Sequence, residues 1–174
     1  MPLILRKIRR SKWYKHEGVP WLQAGELQAD TLVDLKTEDN SLSVWRVEDE
    51  SNLDDLLGAL AARCEVLSNL DYAILAEEIV SALGLKIVQT EGNTPNKYVN
   101  KWHHELVQLS VSKVADLAKA IFTTGETKRA RPQQILRLIT HAVESGQIDP
   151  AKLSEGIRAK LRSIVTPGTS TPGT

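Results

Sequence analysis

Cysteine is nearly missing from this 174-residue chain. Its single thiol, Cys64, cannot form an internal disulfide and leaves no paired Cys-x-x-Cys motif for metal or redox chemistry, which fits a reducing compartment. Long apolar runs are missing too, since crossing a bilayer takes about 20 consecutive apolar residues and nothing here approaches that. The opening "MPLILRKIRRSKWYK" places its basic residues after a very short apolar run. A secretory leader needs the reverse order, so a cytoplasmic location is expected. Also missing are a glycine-rich phosphate loop, a Gly-x-Ser-x-Gly elbow and a dinucleotide fingerprint, so no concentrated catalytic signature stands out. Net charge is zero as well.

What is there is an ordinary globular composition, 41% apolar and 25% charged. It suits one domain over residues 1–164, β-rich over 1–50 and helical over 51–164. The final 165–174, in which "TPGT" repeats, reads as a flexible tail. The zero net charge conceals segregation. Residues 1–16 carry six cations (Arg6, Lys7, Arg9, Arg10, Lys12 and Lys15) and no acid, whereas residues 17–56 carry eleven acids against Lys36 and Arg46. Residues 97–131 are basic again and end in the cluster Lys128, Arg129 and Arg131. Either the basic arm lies against the acidic segment inside the fold, or both are solvated faces, or the segregated charge steers a partner.

The periodicity predicts an α+β domain, mostly helical, with a small N-terminal sheet packed on a body of five or six helices. Leu3–Arg9 reads as a strand. Thr31–Thr37 and Ser41–Glu48, separated by the turn-forming "EDN", read as a hairpin, with a helix over Glu26–Leu35 as the competing assignment. In the second run Leu42 and Val44 alternate with Trp45 and Val47, as in a strand covered on both faces. A capping box at Ser51 and Asp54 opens a helix whose apolar stripe runs to Cys64 and Leu67. Helices are expected over Leu70–Leu83, Pro95–Leu109, Val111–Phe122, Pro132–Glu144 and Pro150–Ile164, with "LKIV" (85–88) as a short strand joining the sheet.

The stretch "KYVNKWHHELVQL" (97–109) raises the question of a metal site. As a helix, at about 100° per residue, its stripe is Tyr98, Val99, Trp102, Leu106 and Leu109, and His103, His104 and Glu105 diverge around it. A helical metal pair needs spacing i to i+3 or i+4, so no metal or cofactor is assigned, and His103 reads as a hydrogen-bonded histidine at the core edge. His141 and Glu144 have the right spacing but fall on the exposed side of their helix. Glu77 and Glu78 read as a solvated pair, and Cys64 as a buried structural thiol.

By elimination the expected function is that of a non-catalytic cytosolic interaction module of bacterial type, an accessory, regulatory or immunity-like subunit. It would dock a protein partner through the acidic strip Glu48, Asp49, Glu50, Asp54 and Asp55 together with the basic arm. The alternative is a nucleic-acid-associated regulator using Arg6, Lys7, Arg9, Arg10, Lys128, Arg129 and Arg131, although the nine residues between Phe122 and Pro132 are too many for a helix-turn-helix. A metal-assisted enzyme involving His103 is a weaker third reading.

Overall fold

The computed structural model describes residues 1–13, 21–23 and 26–165. Six strands build one sheet in the order β4-β5-β2-β1-β3-β6, every neighbouring pair antiparallel. They are β1 (Leu3–Ile8), β2 (Leu42–Val47), β3 (Leu70–Ala76), β4 (Lys86–Gln89), β5 (His103–Val107) and β6 (Glu126–Ala130). The helices among the described residues are α1 (Arg10–Trp13), α2 (Asp30–Asp34), α3 (Leu53–Ala61), α4 (Glu77–Ala82), α5 (Lys97–Asn100), α6 (Val111–Thr123), α7 (Pro132–Glu144) and α8 (Glu155–Val165).

Side chains alternate along each strand, so a sheet with apolar residues on both faces needs a cover on each. On one face Leu5, Trp45, Val47, Tyr72 and Ile74 pack with Leu56, Leu57 and Leu60 of α3, Ile135 and Ile139 of α7 and Ile157 of α8. On the other, Ile4, Ile8, Leu42, Val44, Leu75 and Leu106 pack with Leu35, Val80 of α4, Leu117 and Ile121 of α6, and Trp13. Each fully buried aliphatic or aromatic side chain contributes about 1.5–3 kcal/mol of transfer free energy, which makes these two cores the main source of stability. The alternation of Leu42 and Val44 against Trp45 and Val47 is as the sequence predicts.

The sheet is not the small N-terminal one expected: its six strands come from residues 3 to 130, so the fold is a mixed α+β one and not a small sheet on a mostly helical body. Leu70–Ala76 is not helical; it is β3, hydrogen-bonded to β1 and β6. Buried on both faces, it reads as an unbroken apolar run, and such a run also satisfies helical spacing. Only Glu77–Ala82 continues as a helix, and it stops at Gly84, whose φ is +65°. Pro95–Leu109 is likewise divided, into the single turn α5 and then β5. Asn96, not Thr94, caps that turn by accepting from the Tyr98 amide at 2.9 Å. The nine residues before Pro132 contain edge strand β6.

The hairpin is also corrected. Thr31–Thr37 does not form a strand; Asp30–Asp34 is a short helix, so the competing helical assignment is nearer. The "EDN" turn is real, since Asp39 and Asn40 both take positive φ and Glu38 bridges Ser41, but it connects α2 to β2. The cap of the next helical segment is Asp49, which accepts from the Ser51 amide at 2.8 Å. Helix α3 ends at Ala61, which leaves Cys64 beyond it and only partly buried. By contrast, α6 and α7 lie where the periodicity predicts, with Ser110 accepting from the Lys113 amide and Pro132 in the first turn. The proposed tail falls on residues outside those described, apart from Val165.

Candidate anion-binding site

The site begins with a difference in strand length. Pairing between β1 and β3 runs on to Ile8 and Asp71, whereas pairing between β1 and β2 stops at Leu5 and Trp45. Beyond that point β1 turns into α1 and β2 is reached from the Asp39–Asn40 turn, so the two strands fork. Arg6 lies in the fork. It lines the same small gap as Ile4, Leu42, Val44, Ala73, Leu75 and Leu106, and its Nη1 donates to the Ser43 carbonyl at 2.7 Å. That carbonyl lies past the last β1–β2 pair, which is why a side chain can take it.

Among the described residues no carboxylate forms an ion pair with Arg6, and its Nε is buried without a hydrogen-bond partner. Burial lowers the guanidinium from its ordinary pKa, and the charge of Asp34 offsets this only in part. A largely buried cation that lacks an opposite charge in contact is costly.

Around it open two clefts that share Arg6 and Lys36. One, of about 440 Å³, is lined by Arg6, Lys7, Arg9, Lys12 and Lys36 with Asp34 as its single acid. The other, of about 740 Å³, is walled mostly by polar side chains, among them Ser41, Ser43 and Gln108, and by three acids, Glu38, Asp39 and Glu105. Asp34 holds the first wall in place, accepting from the Arg9 amide at 2.6 Å and from Trp13 Nε1 at 2.8 Å. Lys12 pairs with Asp30 at 2.7 Å. The Leu109 amide donates to the Asn40 carbonyl at 3.0 Å and ties the turn to the end of β5.

The basic arm therefore does lie against the acidic segment, through Asp30 and Asp34, yet Arg6, Lys7, Arg9 and Lys36 remain without ion pairs among the described residues. The second basic cluster differs. Lys128 pairs with Glu126 at 2.7 Å and Arg129 with Asp71 at 2.6 Å, both within the sheet, while Arg131 is exposed at the start of α7. The register sets Lys128 and Lys7 on either side of Tyr72, two strands apart, so the basic segments differ in their partners more than in their distance. Lys128 lies near enough to Glu50 for that charge to help raise its pKa, after the larger effect of its hydrogen bond to Glu126. Arg10 belongs to α1.

Of the acidic strip, Glu48 pairs with Arg46 and Asp49 is a helix cap; Glu77, outside the strip, also pairs with Arg46 and is not the solvated residue expected. Glu50, Asp54 and Asp55 remain in the first turns of the helical segment, where acids complement the helix dipole. The strip thus has a structural explanation.

His103 and His104 sit on a strand, and their side chains project to opposite faces. His103 Nδ1 is 2.7 Å from Thr90 Oγ1, and its ring meets Trp45 edge-on at 4.9 Å. Burial lowers its pKa, with Glu105 acting the other way. Gly92 lets these rings approach, because a Cβ there would lie 2.7 Å from Trp45. Among the described residues no three His, Cys, Asp or Glu side chains are grouped to hold a metal ion. His141 and Glu144 are both exposed, and His16 lies outside the described residues.

Lys36 and Asp34 are the site residues that sequence reasoning missed. Lys36 is one of only two cations in the acidic block 17–56, and nothing local marks it.

No family model matches the chain, and neither the curated proteins nor the solved structures compared with it contain a match. Among the described residues no helix is long and apolar enough to cross a membrane.

Proposed function

We propose that the chain is a non-catalytic interaction module that docks an anionic segment of a protein partner in the basic cleft beside Arg6. The observation that carries this reading is that Arg6, Arg9 and Lys36, none of them ion-paired among the described residues, line one cleft with a single carboxylate, Asp34. Unneutralised charge of this kind raises association rates and selects partners of opposite sign. Glu50, Asp54 and Asp55 supply a second contact of opposite charge. The reading gives no role to Lys128 and Arg129, whose charges are engaged within the sheet.

The test pairs two double variants, Arg9→Glu with Lys36→Glu and Asp54→Lys with Asp55→Lys, in affinity capture from the source cells. The expected result is a partner lost with the first pair and weakened with the second. A partner retained in full by Arg9→Glu/Lys36→Glu overturns the reading. Nucleic acid is the rival occupant, because the same cations could meet backbone phosphates, and a mobility shift that appears at low salt and fades steeply as salt rises favours it.

A further inference from the structure

We infer that the fork between β1 and β2 is a binding pocket for a phosphate monoester, held by Arg6 from the floor and by Lys36 and Arg9 from the rim. The inference rests on the cleft being a binding site, but not on the occupant being a protein.

Three observations converge. First, Arg6 is a largely buried cation with one hydrogen bond, to the Ser43 carbonyl, an unpartnered Nε and no ion pair among the described residues. Asp34 is near enough for its charge to act on Arg6 but makes no ion pair with it, so a bound anion in contact would complete a neutralisation that the chain leaves partial. Second, with Lys12 paired to Asp30, the cations Arg9 and Lys36 join Arg6 without ion pairs among the described residues against the one lining acid, Asp34, so the pocket favours an anion of more than one charge over a carboxylate. A phosphate monoester carries about −1.5 to −2 at neutral pH and offers three acceptor oxygens, which suits one arginine joined by flexible lysines. Third, the charge is gathered at a point. Single-stranded nucleic acid is held along a basic track with aromatic side chains for its bases, whereas the exposed Trp21 lines a different groove, with Leu22 and Leu27 against α6.

The adjoining cleft indicates what the rest of the ligand is like. It continues from Arg6 and Lys36 past Ser41, Ser43 and Gln108 and the carboxylates of Glu38, Asp39 and Glu105, so the group that bears the phosphate is itself hydrophilic and offers hydrogen-bond donors rather than further negative charge. A phosphorylated sugar and a phosphorylated side chain on a peptide share this chemistry.

Isothermal titration of the full chain with inorganic phosphate, at constant ionic strength against chloride, tests the pocket. One saturable site is expected. Because charge-assisted hydrogen bonds contribute about 1.5–3 kcal/mol, Lys36→Ala should weaken binding by roughly ten-fold or more. Lys36 is exposed, so this variant should fold as the parent does. Arg6→Lys keeps the charge but not the planar donor set and should also weaken binding, with its thermal transition recorded beside it.

Titration with glucose 6-phosphate and with a phosphoserine pentapeptide identifies the source, and tighter binding of either than of inorganic phosphate supports the pocket. No saturable heat with any of the three, binding unchanged in Lys36→Ala, or binding of an oligonucleotide alone overturns it. Phosphate binding together with partner capture that survives Arg9→Glu/Lys36→Glu overturns only the protein-docking reading.

Discussion

Two basic segments, "RKIRR" near the start and "KRAR" before α7, look alike in the sequence and differ in the fold. The second is an edge strand whose neighbours supply counter-charges, Asp71 directly across from Arg129 and Glu126 two residues before Lys128. The first leaves the sheet where its neighbour diverges, and the strand that could have faced Arg6 with an acid offers a backbone carbonyl instead. Cationic sequence therefore marks a site only where the adjacent element withholds its opposite charge. The cations that remain define the cleft.

The largest expected effect tests the scaffold of the first segment. Asp34→Ala removes the acceptor of the exposed Arg9 amide and of Nε1 on fully buried Trp13, and loss of the second hydrogen bond should cost about 1–3 kcal/mol in chemical denaturation. A loss below about 0.5 kcal/mol, within the range of an ordinary surface substitution, would show that Asp34 does not hold this end of the sheet. Asp34→Asn keeps an acceptor and removes the charge, so it should strengthen phosphate binding while changing stability less.

Next comes the direct contrast between the segments. Arg9→Glu with Lys36→Glu should reduce phosphate affinity by more than ten-fold, about 1.4 kcal/mol, with little change in melting temperature. Lys128→Ala should do the reverse, leaving affinity unchanged at a stability cost of at most about 1 kcal/mol, the range of an exposed pair. Affinity that falls equally in both variants would erase the distinction between the segments.

The smallest effect concerns His103, which lies away from either cluster and serves as a control on charge. Its folded pKa is lowered by burial, so below the ordinary histidine range the unfolded chain binds the proton more readily than the folded one. Stability should therefore fall as pH drops from about 7.5 to about 5.5, and His103→Gln should flatten that slope. A slope that is the same in His103→Gln would assign the pH dependence to other groups.

How much of this was legible follows the physics of each element. Helices α6 and α7 were legible because each buries a single stripe and carries its own start signal, Ser110 or Pro132. Strand β2 was legible because its two faces bury distinct sets, Leu42 and Val44 against Trp45 and Val47. Strand β3 was not, since Tyr72, Ala73, Ile74 and Leu75 are buried in succession and no alternation survives to separate strand from helix. Strand β5 was hidden by its shortness and by the helical spacing of Tyr98, Trp102, Leu106 and Leu109 across a real break at Lys101. Arg6 and Arg9 were among the candidate residues, but the site's other half, Asp34 and Lys36, arrives from 25 to 30 positions away through tertiary structure. The acidic strip was visible as charge, though not as the caps and first turns that explain it.

The most direct test of the central claim is a map of amide chemical-shift changes on adding inorganic phosphate to the isotope-labelled chain at constant ionic strength. The account predicts saturable shifts confined to residues 6–12, 33–43 and 105–108, with residues 126–131 unmoved. The largest shifts at 126–131, or none that saturate, would contradict it.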